Sequence, residues 1–216
     1  LWSAQVLLEE PHLVENVHAD FINAGAKIIT LNTYSATKER LDRDGAKGMF
    51  NRLQEKAIEV ANRARDKCGK PDIKIAGCLP PLYGSYKPDC APPLAECIER
   101  YQVISDKQAP YVDLFICETM SSIKEAKASI TAAKTHSIET WCALTISDQD
   151  KSSLRSNERI EEALSQLQEF NYSANLLNCS TPEAITFSIN FLKNFKKPFG
   201  AYANGFTSID ALQVGG

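Results

Sequence analysis

Six short runs rich in β-branched and apolar residues, each ending in small or polar side chains, recur along the 216-residue chain with helical segments between them. That alternation predicts parallel strands joined by crossover helices, because a period of two followed by a period near 3.6 is what a strand feeding a covering helix requires. The runs fall at 27–33 (KIITLNT), 73–78 (IKIAGC), 112–117 (VDLFIC), 140–145 (TWCALT), 174–178 (ANLLN) and 198–202 (PFGAY). Helical patterning fills about 10–24, 36–67, 92–108, 121–136, 157–170 and 181–194. Several starts carry a cap signal, as in Ser180-Thr181-Pro182-Glu183, where a hydroxyl precedes Pro and an early carboxylate.

Two α/β architectures suit such a pattern. An open doubly wound sheet would be expected to carry a Gly-rich phosphate turn after its first strand, and none is present, which favours a barrel. A complete (β/α)8 barrel takes about 250 residues and begins with a strand. This chain opens on a helix and reaches Gly216 shortly after its sixth strand. The expectation is therefore an α/β fold of the (β/α)8 TIM-barrel type, incomplete, with its first and eighth strands missing. No linker or composition break divides residues 1–216, which read as a single partial barrel domain; the Pro-rich stretch 79–93 reads as a βα loop.

Composition narrows the partners. With 44% hydrophobic and 24% charged residues the chain can build an ordinary globular core, and a net charge of −3 with no basic run excludes a nucleic-acid surface. Its apolar runs fall far short of the roughly 20 residues that span a bilayer, so no membrane role is expected. Seven cysteines, an odd number without a CxxC pair and partly inside strand-like runs, read as reduced thiols of a cytoplasmic protein.

In parallel α/β folds the chemistry sits at the C-terminal ends of strands. Those ends are Asn32-Thr33-Tyr34, Gly77-Cys78, Glu118-Thr119, Thr145 with Ser147, Asn178-Cys179 and Asn204-Gly205. Glu118 follows an apolar run directly, so its carboxylate calls for a cationic partner, either a Lys or Arg of the chain or the ammonium of a ligand. Cys179 lies just before a helix start, which favours a thiolate able to act as nucleophile or metal ligand; taken alone it reads more commonly as a buried structural cysteine. The remaining cysteines except Cys78, and the three histidines, read as structural or exposed residues.

Taken together, LWSAQVLLEEPHLVENVHADFINAGAKIITLNTYSAT (1–37), GCLPPLYGSYKPD (77–89), CETMSSIKEA (117–126), LRSNERIEEAL (154–164), LLNCSTPEAI (176–185) and GAYANGF (200–206) resemble the homocysteine S-methyltransferase family. The resemblance implies an enzyme that moves a methyl group from a small sulfonium, ammonium or folate donor to a zinc-bound homocysteine thiolate, giving methionine. It implies Cys179 as the metal ligand, Glu118 with Thr119 at the amino-acid end of homocysteine, and Asn178, Asn32, Tyr34 and Asn204 around the mouth. The family's two further zinc cysteines follow a Gly-Gly turn, whereas here Gly215-Gly216 is not followed by Cys-Cys, so tight zinc retention and activity of this chain are not expected. Tyr34, Tyr83 and Tyr86 are candidate aromatic faces for a cationic methyl donor. Exposed edges at both ends of the sheet make homo-oligomer formation an expectation.

Two other readings compete. One is a non-catalytic barrel-like protein that binds a ligand or acts as a scaffold. The other is a Schiff-base barrel enzyme, disfavoured because Lys27 and Lys74 lie at or near strand starts.

Overall fold

A computed structural model describes residues 3–206 and 209. Six strands form one parallel sheet: β1 (Ile28–Thr30), β2 (Lys74–Leu79), β3 (Leu114–Met120), β4 (Glu139–Thr145), β5 (Ala174–Asn178) and β6 (Phe199–Tyr202). Each pairs only with its neighbours in sequence, in the order β1-β2-β3-β4-β5-β6. A doubly wound sheet reverses its strand order at a switch point; this one does not.

The two faces of the sheet confirm the distinction. One face merges with the helices into the main core, where Ile75, Phe115, Leu144 and Leu177 meet Leu53, Ile104, Ile130 and Leu164. The other holds only a small cluster of Ala76, Leu114, Ile116 and Ala143, flanked by the partly buried Ile28, Trp141 and Leu176. Helices on one face and a narrow second apolar layer on the other describe an incomplete (β/α)8 barrel, whose inner face is lined by alternate residues of successive strands. At the N-terminal end of the inner face Lys74 pairs with Glu139 at 3.2 Å, and Trp141 Nε1 donates to the same carboxylate at 2.8 Å.

The eight helices among the described residues are α1 (Ser3–Glu9), α2 (Pro11–Asn23), α3 (Lys38–Arg43), α4 (Phe50–Lys67), α5 (Leu94–Gln108), α6 (Ile123–Lys134), α7 (Ile160–Leu167) and α8 (Pro182–Leu192). One of the expected helices is divided, and another gains a neighbour. The segment near 10–24 is preceded by a separate α1, because Pro11 starts a new helix after Glu10 leaves the helical region with φ −138. The expected helix at 36–67 is divided by residues 44–49, where Gly45 and Gly48 take φ +74 and +86. Glycine adopts that left-handed backbone without a Cβ penalty, so the apolar periodicity continues while the helix does not.

Strand boundaries moved by at most three residues, and β5 matches its expected run at both ends. β3 begins two residues later than the apolar run and extends through Glu118 and Thr119 to Met120. The segment TSIDALQV at 207–214, together with Gly215 and Gly216, lies outside the described residues apart from Ile209. Among the described residues no helix is long and apolar enough to cross a membrane.

Candidate active site at the strand ends

The site is built on an irregularity in β3. Cys117 pairs with Cys142 and Met120 with Leu144, so three steps along β3 match two along β4. The extra residue is a β-bulge, and Thr119 within it has φ 60. Regular alternation would send Glu118 and Thr119 to opposite faces. Through the bulge Glu118 meets Cys78, while Thr119 Oγ1 donates to Cys179 Sγ at 3.3 Å.

A second turn meets the first. Cys179, immediately after β5, has φ 50, and its sulfur also accepts from Asn178 Nδ2 at 3.3 Å. That same amide nitrogen lies 2.9 Å from Thr119 Oγ1 and 2.8 Å from Tyr202 Oη. Thr119 and Asn178 are fully buried. Two left-handed residues that are not glycine, each costing of order 1–3 kcal/mol, thus face one another across the strand ends, as strained backbone at sites commonly does.

Burial decides the protonation of the acids and thiols here. Glu118 keeps some exposed surface, yet its carboxyl is removed from bulk water and pushed up to about 7, with the Cys78 contact opposing the shift. Among the described residues no Lys or Arg pairs with it, so of the two partners considered, the one within the chain is not found. Cys179 departs from the expectation drawn from the helix start. Its thiol is raised above the ordinary value because burial outweighs the lowering by Thr119, Tyr86 and Arg155, and Glu118 adds to the rise. Cys78 is fully buried and pushed far up, first by burial and then by the charge of Glu118.

The other expected site residues are dispersed to different degrees. Tyr34 Oη shares a 2.7 Å hydrogen bond with Ser85 Oγ, and burial raises its phenol. Asn32 spends its amide on the Ser3 carbonyl at 3.1 Å and lines a cavity of about 580 Å³ that runs from Glu118 and Cys78 along β1 to Phe21 of α2. Asn204 anchors its backbone on Ser180 at 2.9 Å, and its Nδ2 is buried with no hydrogen-bond partner. Asn178 Oδ1 is unpartnered in the same way.

Each tyrosine considered for a cationic donor already carries one cation of the chain beside its ring. Arg40 lies 5.1 Å from the Tyr34 ring, Arg100 5.6 Å from Tyr83 and Arg155 4.8 Å from Tyr86. Each tyrosine thus stacks with a cation of the chain itself. Sequence reasoning missed Tyr202, Arg155 and Asp148. A charged pair in a polar loop reads as solvated, and only the fold turns Arg155 and Asp148 inward; Tyr202 stays partly exposed while its hydroxyl meets Asn178.

Fold and site together define a (β/α)8-type enzyme scaffold with a polar, thiol-bearing mouth at the C-terminal strand ends. The profile of the homocysteine S-methyltransferase family matches residues 1–213, and the chain belongs to that family. It is 29% identical over 233 aligned residues to homocysteine S-methyltransferase YbgG of Bacillus subtilis (strain 168), spanning 97% of this chain and 72% of that protein. It is 28% identical over 241 residues to homocysteine S-methyltransferase 2 of Arabidopsis thaliana, spanning 98% and 72%. Among solved structures, the metallated form of the homocysteine methyltransferase MmuM from Escherichia coli superposes with a TM-score of 0.85 at 24% identity, covering 99% of this chain and 79% of that one, a likeness of fold.

Proposed function

We propose that this site binds homocysteine by its amino-acid end and presents its sulfur for methylation by a small sulfonium, ammonium or folate donor, with methionine as product. The observation that carries the reading is Glu118, a buried carboxyl at a strand end with no cationic partner among the described residues. An ammonium group supplies that partner, and an unpaired carboxylate so placed is costly without one. Asn178 Oδ1, an acceptor left unpaired, offers a hydrogen bond to the same zwitterion, and the Asn204 amide lies beside Tyr86. Thr119 holds Asn178 and Cys179 in place, and Asn32 and Tyr34 frame the mouth.

The reaction is a displacement in which the homocysteine sulfur takes the methyl carbon and loses its proton, while the donor leaves with the bonding pair. What this chain contributes is orientation and exclusion of water. The zinc implied by the family would lower the thiol's proton affinity. Cys179 is the ligand these residues bring to it, yet among the described residues no group of three metal-ligating side chains forms, so they do not by themselves fit the ion and no step is assigned to it.

Calorimetric titration with homocysteine tests the reading. Saturable binding by the chain, weakened at least about tenfold, or about 1.4 kcal/mol, in Glu118→Gln, is the expected result. Absence of binding by the unaltered chain overturns it and supports the non-catalytic scaffold. With binding established, methionine formation from each donor class in turn identifies the donor.

A further inference from the structure

Cys179 keeps a backbone conformation that residues with side chains seldom adopt, and the groups that hold it come from outside its own strand. Its N–H donates to the Tyr202 carbonyl at 3.2 Å. Its own carbonyl accepts from Thr145 Oγ1 at 3.1 Å and from the Arg155 guanidinium at 3.2 Å.

Arg155 belongs to the loop between β4 and α7, and its side chain is only 8% exposed. The nitrogen that reaches Cys179 also pairs with Asp148 at 2.9 Å, and Nε lies 3.4 Å from Thr145 Oγ1. The guanidinium plane covers Tyr86, itself a neighbour of the Cys179 thiol. Asp148 in turn accepts from the Thr181 N–H at 2.8 Å, at the start of α8. One side chain thus ties together the loop after β2, the end of β4 and the turn after β5, and through Asp148 the N-cap of α8. A planar fork with five donors serves several fixed acceptors at once, which a lysine ammonium does not.

We propose that Arg155 is a positioning residue for Cys179: by binding the Cys179 carbonyl it holds the left-handed turn that aims the sulfur at Thr119 and Asn178. The turn has no glycine to make it cheap, so it depends on bonds to the carbonyl that the turn itself leaves outside the sheet ladder. The inference deepens the proposed function at the same site, but the conformation it concerns is readable without any reaction.

The test uses the full chain with 13C-labelled cysteine and NMR, Cys179 being assigned through Cys179→Ser. In Arg155→Met the Cα and Cβ resonances of Cys179 are expected to leave the left-handed range, while those of Cys68, which caps α4, and Cys97, on α5, stay in place. Arg155→Lys, which keeps the charge beside Asp148 and loses the fork, is expected to move Cys179 in the same direction by less. If Arg155→Met folds poorly, Arg155→Lys carries the test alone. A Cys179 signal unchanged in either folded variant overturns the proposal, as does a shift shared equally by all the cysteines. Titrating the same samples with homocysteine separates the two ideas, since failure to bind removes the substrate and leaves the cysteine shifts to decide the role of Arg155. Once turnover is established, Arg155→Met is expected to lower kcat by about 10–100-fold, the usual effect of removing a group that orients a metal-ligating side chain, with KM for homocysteine unchanged.

Discussion

Glu118 shows at the level of one residue how burial becomes a measurable pH dependence. Its carboxyl binds a proton more tightly in the folded chain, at about 7 against 4.5 when unperturbed, because charging it in the site is costly. The stability linked to this group is full below the unperturbed value and is lost as pH rises through about 7. Glu125, raised to about 7 by burial on α6, adds to the same loss. Urea midpoints across this range should fall with pH in the unaltered chain and fall less in Glu118→Gln, so that the variant is the more stable of the two on the alkaline side; parallel profiles would show that the carboxyl is already satisfied. The position of Glu118 was legible in the sequence, since a carboxylate straight after VDLFIC has nowhere to go but a strand end. Its partner was not. Neither was the state of Cys179, where helix proximity argued for a thiolate and burial decided otherwise. The local rule concerned one neighbour, while the outcome depended on everything packed around the sulfur.

At the level of elements, close packing and caps carry the geometry of the site. A Cβ on Gly77 would lie 2.6 Å from two Phe115 ring carbons and 2.7 Å from Gln108 Oε1, the acceptor that binds the Cys78 N–H. Gly77→Ala is therefore expected to destabilise the chain by about 1–3 kcal/mol, read as a lowered urea midpoint, because neither the buried ring nor the buried amide can withdraw freely. At the start of α8, Thr181 Oγ1 accepts from the Ala184 N–H at 3.3 Å, so Thr181→Ala should cost about 1 kcal/mol and loosen the turn that carries Cys179. That cap was readable from Ser-Thr-Pro-Glu. The bulge in β3 was not, because an extra residue leaves no mark in an apolar run. It exists only as a mismatch between two strands, and it is what brings Thr119 to Cys179.

For the molecule as a whole, the outer strands β1 and β6 each pair on one side only among the described residues. Beside β1, α2 exposes Val17 and Phe21 at 53% and 62%, and β6 exposes Phe199 and Tyr202 at 44% and 43%. Exposed strand edges with apolar flanks invite pairing between copies. Light scattering should give a mass that rises above the 23.9 kDa of one chain with concentration, and Val17→Glu with Phe21→Glu should return it toward the monomer. Elemental analysis should find less than one zinc per chain, since no group of three metal-ligating side chains forms among the described residues; stoichiometric zinc would require ligands beyond them. The alternation of strand and helix, the cap signals and the placement of polar residues after apolar runs were properties of the sequence alone, because periodicity and local sterics dictate them residue by residue. Which face of the sheet the helices cover, how a bulge and two left-handed residues bring Thr119, Asn178 and Cys179 together, and how Arg155 reaches a carbonyl 24 residues away were settled only by tertiary structure. Contacts between distant segments depend on the packing of the whole chain, and no local pattern records them.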